Sequence, residues 1–241
     1  MILLLAAAAA ETPLTDSGSE AVVHPAIRQP DGLYVHRVES PLQAGPTRLK
    51  VLLPDRLDPQ RKHPVLYLLP VEAGDGTFWG DAMAEVRKAN LQNRFGLICV
   101  YPTFADLPWY ADHPTNPRIR QEAYLLSVVL PAIESRYPGR DDRQGRLLVG
   151  FSKSGWGAFS LLLRHPDRFG RAAAWDAPLT EQQPARFGMG PIFGTQENFE
   201  KYQITRLLAR QAEPLRPGAP RLILLGYDNF RPATVATHDQ I

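Results

Sequence analysis

One stretch of the chain carries residue types able to do nucleophilic chemistry. The apolar run Leu147-Leu148-Val149-Gly150 leads directly into Phe151-Ser152-Lys153-Ser154-Gly155-Trp156-Gly157-Ala158. A serine among small residues, between a strand and a helix, is the pattern of a nucleophile elbow. That sharp turn lifts a hydroxyl above the end of a sheet. Glycine two residues before the serine removes a Cβ and lets the serine backbone take a strained conformation. The N-terminus of the following helix lays positive partial charge beneath the hydroxyl. The amide of Lys153 is placed to meet a developing oxyanion. The pattern departs from G-x-S-x-G at Ser154, where the second glycine belongs, although Gly155 and Gly157 follow closely. A tight strand–helix junction without chemistry is the other reading of the same residues.

The run Gly150–Ala158, followed by Arg164-His165-Pro166-Asp167-Arg168-Phe169 and preceded by a Leu68-Leu69-Pro70 turn, resembles the putative-esterase family of α/β-hydrolases. That family includes esterase D, feruloyl and acetylxylan esterases, enterochelin esterases and mycolyltransferases. The resemblance runs from about Leu33 to the end of the chain. It implies an α/β-hydrolase fold and a serine carboxylic-ester hydrolase that forms an acyl-enzyme on Ser152. Carbohydrate or phenolic esters are the substrates it suggests, and His165 becomes a structural residue closing the helix after the nucleophile. Fold alone does not choose a substrate. The alternatives are an acyltransferase or serine peptidase using the same serine, or a non-catalytic binding protein on the same scaffold.

Acyl transfer through serine needs a base to take its proton and an acid to orient that base. The expected order is serine, acid, histidine. Asp228, after the apolar run Arg221–Leu225, stands where the resemblance implies the acid, and Asp176, after Gly170–Trp175, is the second candidate. Either is equally a common turn residue. Only His165 and His238 follow the serine. His238 is the candidate base within the chain, yet its stretch, Ala233–Ile241, reads as the opening turns of a helix. The resemblance places a helix and one more strand before the catalytic histidine, so the chain is expected to stop before it. A second oxyanion donor is expected from Val71 or Glu72, in the loop Pro70–Gly76. Trp79, Trp109, Tyr110 and Trp156 are expected at loops near the site, where they would bind a sugar or phenolic ring or else pack in the core. Asp112, Arg118 and Glu122 form a polar group that reads as a binding feature or a solvated helix start.

Positioning such a site requires alternating strands and helices, and the chain supplies them. Thr47–Leu53 alternates polar and apolar residues like a partly exposed strand. Pro64–Leu69, Phe95–Tyr101 and Arg146–Gly150 are continuous apolar runs, as are Gly170–Trp175 and Arg221–Leu225. Such runs mark strands buried on both faces. Helical stretches fall between them at Phe78–Gln92, Pro117–Tyr137, Gly155–Arg164 and Asn198–Ala212. This alternation predicts a mostly parallel central sheet with helices on both faces.

The bulk numbers agree with one such domain over residues 31–241, which the resemblance implies is incomplete at its C-terminus. The 241 residues are 44% hydrophobic and 22% charged, with a net charge of +2. Scattered basic residues give no reason to expect nucleic acid. Met1–Ala10 is apolar but too short to span a bilayer, which takes roughly twenty residues. It reads as the remnant of a signal peptide, and hence a secreted or periplasmic protein without stable membrane insertion. Residues 11–30 read as a linker. The single cysteine, Cys99, lies in an apolar run and is expected to be a buried structural thiol. No metal or cofactor is expected: no His/Cys spacing suggests zinc, no phosphate-cradling or dinucleotide loop is present, and Glu72 with Asp75 fall short of the about six to eight oxygens calcium takes.

Overall fold

The computed structural model describes residues 20–215, 218–226 and 229–241. Its strands in chain order are β1 (Val22–Val23), β2 (Ile27–Arg28), β3 (Tyr34–Glu39), β4 (Thr47–Leu52), β5 (Val65–Leu69), β6 (Ile98–Pro102), β7 (Arg146–Phe151), β8 (Arg171–Trp175) and β9 (Leu222–Leu225). They form one sheet in the order β1-β3-β4-β6-β5-β7-β8-β9, with β2 also pairing with β3. The β6-β5-β7-β8-β9 portion is parallel throughout, while β4 joins β6 antiparallel and β1 to β3 continue antiparallel. The apolar runs of the sequence thus form the middle of the sheet, where both faces must be covered. β7 lies between β5 and β8, so whatever leaves its C-terminal end is flanked by two further strand ends.

Helices fill the connections. α1 (Ala82–Lys88) and α2 (Leu91–Arg94) lie between β5 and β6. α3 (Gln121–Tyr124), a π-helical turn over Leu125–Val129 and α4 (Leu130–Arg136) lie between β6 and β7. α5 (Lys153–Arg164) follows β7. α6 (Gly190–Phe193), α7 (Gln196–Glu200) and α8 (Ile204–Leu215) precede β9, and α9 (Arg231–Gln240) follows it. Successive residues of a strand face opposite sides, and β5 feeds two cores accordingly. Val65, Tyr67 and Leu69 pack with Tyr124, Leu125, Ile133 and Phe159 on one side. Leu66 and Leu68 pack with Met83, Val86 and Cys99 on the other. Helices therefore cover both faces, as expected. α5 is the deepest helix, buried from Ser154 through Leu163; truncating a ring such as Phe159 there would cost about 3–5 kcal/mol. Burial pushes the Cys99 thiol up to about 12, which leaves it inert. Among the described residues no helix is long and apolar enough to cross a membrane.

Several boundaries differ from the sequence reading. The helix expected over Phe78–Gln92 begins only after Asp81, whose carboxylate accepts the amides of Met83 and Ala84, and it breaks at Asn90 in a left-handed conformation. Phe95 closes α2 and is exposed instead of opening β6. The helix expected over Asn198–Ala212 divides into α7 and α8 around Tyr202 and Gln203. The linker expected over residues 11–30 is also corrected within its described part. β1 and β2 pair with β3, Arg136 donates to Val23 O, and His36 contacts His24 O. Two-residue strands are too short to show a period-two pattern, so their pairing is set by β3.

Candidate active site

The geometry of the site begins with the backbone of Ser152. β7 ends at Phe151 and α5 starts at Lys153, leaving Ser152 alone to make the turn at φ 51° and ψ −123°. A non-glycine residue held there stores roughly 1–3 kcal/mol of strain. The neighbours hold it in place: Ser152 N–H donates to Trp175 O at 2.9 Å, and Trp156 N–H donates to Ser152 O at 3.1 Å. Gly150 is required, because a Cβ there would overlap the Ser154 carbonyl. Ser154 replaces the second glycine of the motif without loss. Its Oγ donates to Phe151 O and accepts from Phe151 N–H, both at 2.9 Å. The close helix–strand approach falls to Gly155 instead, where a Cβ would lie 3.0 Å from Gly150 O. Ser152 is half-buried, and its Oγ has no hydrogen-bond partner among the described residues.

The loop after β5 reaches the same place. Glu72 Oε1 accepts from Lys153 Nζ at 2.7 Å and from Trp79 Nε1 at 3.2 Å. This joins the residue after the serine to the loop expected to carry the second oxyanion donor. Lys153 heads α5, where first-turn amides have no intrahelical acceptor. Val71 is buried, and its N–H finds no acceptor among the described residues.

Of the two acidic candidates, Asp228 lies outside the described residues. Asp176 follows β8 beside the elbow, buried and left-handed at φ 43°. Its N–H donates to Leu225 O at 2.7 Å, and its Oδ1 accepts from Phe230 N–H at 2.8 Å. It thereby links the end of β9 to the start of α9.

The structure does not bring His238 to the serine. Its side chain is 80% exposed beside Asp239. α9 starts near Asp176, at the carboxyl ends of the strands, whereas Ile241 after its last turn shares an apolar recess with Pro220, Arg221 and Leu222, at the start of β9. The helix therefore carries His238 away from Ser152. The other five histidines are also engaged elsewhere: His24 with Glu39, His36 with Tyr137, His63 with Gly96 O, His113 with the amides of Thr115 and Asn116, and His165 with Glu122.

The aromatic residues divide. Trp79 is exposed and stacks edge-on against Phe78, with ring centroids 5.0 Å apart. Trp109, Tyr110 and Trp156 are fully buried, and their expected contact with substrate is corrected. Trp109 and Trp156 pack against each other and Phe193. Tyr110 lies on α5, its hydroxyl donating to Pro70 O at 2.6 Å. The polar group at the start of α3 is structural. Buried Glu122 accepts two bonds from Arg164, contacts His165 Nε2 at 2.7 Å and accepts from the Tyr202 hydroxyl. Asp112 pairs with Arg120, while Arg118 donates to Ala44 O. Sequence reasoning missed the Lys153–Glu72 pair and the role of Trp175 O in holding the elbow. Neither has a local signal, since each joins distant segments. Among the described residues no cluster of three or more His, Cys, Asp or Glu is arranged to hold a metal.

The family model described as "Putative esterase" matches residues 41–214. Esterase Rv1288 of Mycobacterium tuberculosis is 27% identical over 150 residues, covering 61% of this chain. The chain spans about a third, 32%, of that curated relative's length. The structure is similar to FphF, a fluorophosphonate-binding serine hydrolase of Staphylococcus aureus, with a TM-score of 0.69 and 18% identity over 90% of this chain and 85% of that one. It is also similar to an S-formylglutathione hydrolase from Agrobacterium tumefaciens, with a TM-score of 0.63 and 14% identity over 86% of this chain and 92% of that one.

Proposed function

The chain belongs to the putative esterase family, and from that premise we propose that it is a carboxylic-ester hydrolase with Ser152 as its nucleophile. The observation that carries this reading is the left-handed backbone of Ser152, held between β7, Trp175 O and the start of α5. In the reaction Ser152 Oγ gives its proton to a base and attacks the ester carbonyl carbon. The amides of Lys153 and of the Val71–Glu72 loop take up the oxyanion. Collapse expels the alcohol with a proton returned by the base, and water then releases the acid from the acyl-enzyme. Asp228, the position the family resemblance implies for the acid, orients the base in this scheme. None of the six histidines of the chain makes a hydrogen bond to Ser152.

The exposed ring of Trp79, fixed to Glu72 by its indole N–H, favours esters with a flat sugar or phenolic group. The apolar Met1–Ala10 run supports export, although it lies outside the described residues.

The test is turnover of p-nitrophenyl acetate with added imidazole, which can stand in for a base. The wild-type rate should exceed that of Ser152→Ala, and the excess should grow with imidazole. Equal rates for the two proteins at every imidazole concentration would end the reading.

A further inference from the structure

We infer that Tyr110 is a positioning residue for the oxyanion hole, and that Val71 rather than Glu72 supplies the second donor. The inference rests on the reading of Ser152 as a nucleophile. Its basis is the peptide that joins Pro70 to Val71. The Pro70 carbonyl and the Val71 N–H belong to one planar trans unit, so they point in opposite directions. The Tyr110 hydroxyl donates to Pro70 O at 2.6 Å. Fixing that carbonyl fixes the direction of the Val71 N–H. Val71 is buried, and its N–H meets no acceptor among the described residues. Buried amides are almost always paired, so a donor left open beside the elbow is one that a reacting oxygen would fill.

Tyr110 is itself held on every side. Its ring occupies the space that a Cβ on Gly157 would need, which seats it directly on the nucleophile helix. Phe104 packs edge-on against it, with centroids 5.3 Å apart. The Tyr110 and Trp109 amides both donate to Gln121 Oε1 at 2.9 Å, holding Tyr110 in a left-handed conformation at φ 57°. Burial keeps its hydroxyl protonated, and therefore a donor, at any ordinary pH. One rigid side chain thus ties the helix that bears Lys153 N–H to the peptide that bears Val71 N–H. Removing an oxyanion donor outright costs about 10²–10³ in kcat. Loosening its support should cost less.

The experiment compares wild type, Tyr110→Phe and Val86→Ala in imidazole-supplemented p-nitrophenyl acetate turnover, in affinity for phenylboronic acid and in thermal unfolding. Phenylboronic acid binds a reactive serine as a tetrahedral anion and so reports on the oxyanion site. Tyr110→Phe should lower kcat about tenfold, leave KM within about twofold and weaken the boronate by a factor similar to that in kcat. Val86→Ala removes packing in the core on the other face of the sheet and leaves Tyr110 and its supports intact; it should lower the melting temperature and retain kcat. If wild type turns over through Ser152 while Tyr110→Phe keeps its kcat and boronate affinity, the positioning role is overturned. A Val86→Ala loss matching that of Tyr110→Phe overturns it too, by showing general destabilisation. If wild type shows no Ser152-dependent turnover, the nucleophile reading itself fails, and this role with it.

Discussion

Lys153 Nζ lies 2.7 Å from Glu72 Oε1, so the residue after the elbow serine is tied by charge to the loop after β5. The Lys153 and Glu72 side chains are 13% and 27% exposed, which shields the pair from solvent more than an ordinary surface bridge. The bridge holds together the two segments whose backbone amides take up the oxyanion in the proposed reaction.

That relationship predicts non-additivity. Lys153→Met and Glu72→Gln should each lower Ser152-dependent kcat several-fold, and the double variant should be little worse than either single one. The coupling expected for residues in direct contact is roughly 1 kcal/mol. The measurement is a double-mutant cycle on kcat/KM for p-nitrophenyl acetate in imidazole buffer. Fully additive losses would show that the bridge does not align the site.

Glu122 makes a separate prediction about acid stability. Burial raises its carboxyl, but hydrogen bonds from His165 and Arg164, together with their charges, outweigh it and bring the group down to about 2 from an ordinary 4.5. A depressed carboxyl contributes stability that is fully present above its unfolded value and is lost as pH falls toward its folded one. The window is therefore about pH 4.5 down to 2, and the contribution is about 3 kcal/mol. Glu122→Gln should lower stability near neutral pH by a similar amount and flatten the acid limb of a stability–pH curve from chemical denaturation. An unchanged acid limb would mean that Glu122 is not held ionised by this clamp.

The parts of the site that depend on local pattern were legible in the sequence. A buried run, a glycine, a serine and an immediate helix can fold in few ways, and Ser154 keeps the turn because its hydroxyl serves both polar atoms of Phe151. The parallel centre of the sheet was legible for the same reason. Features made by distant segments were not. Tyr110 meets Gly157 and Pro70, far from it in the chain, and composition cannot say whether such a ring faces substrate or core. The pairing of β1 and β2 with β3 and the direction of α9, which takes His238 away from the serine, are likewise set by packing.

Covalent labelling reads the nucleophilic reactivity of Ser152 without needing turnover. An alkyl fluorophosphonate should phosphonylate the wild-type chain with loss of fluoride, and peptide mapping by mass spectrometry should place the adduct on Ser152. Ser152→Ala, folded to the same extent by circular dichroism, should take no label. Absence of label on wild type with imidazole present, or an adduct on another residue that persists in Ser152→Ala, would mean that Ser152 is not the nucleophile.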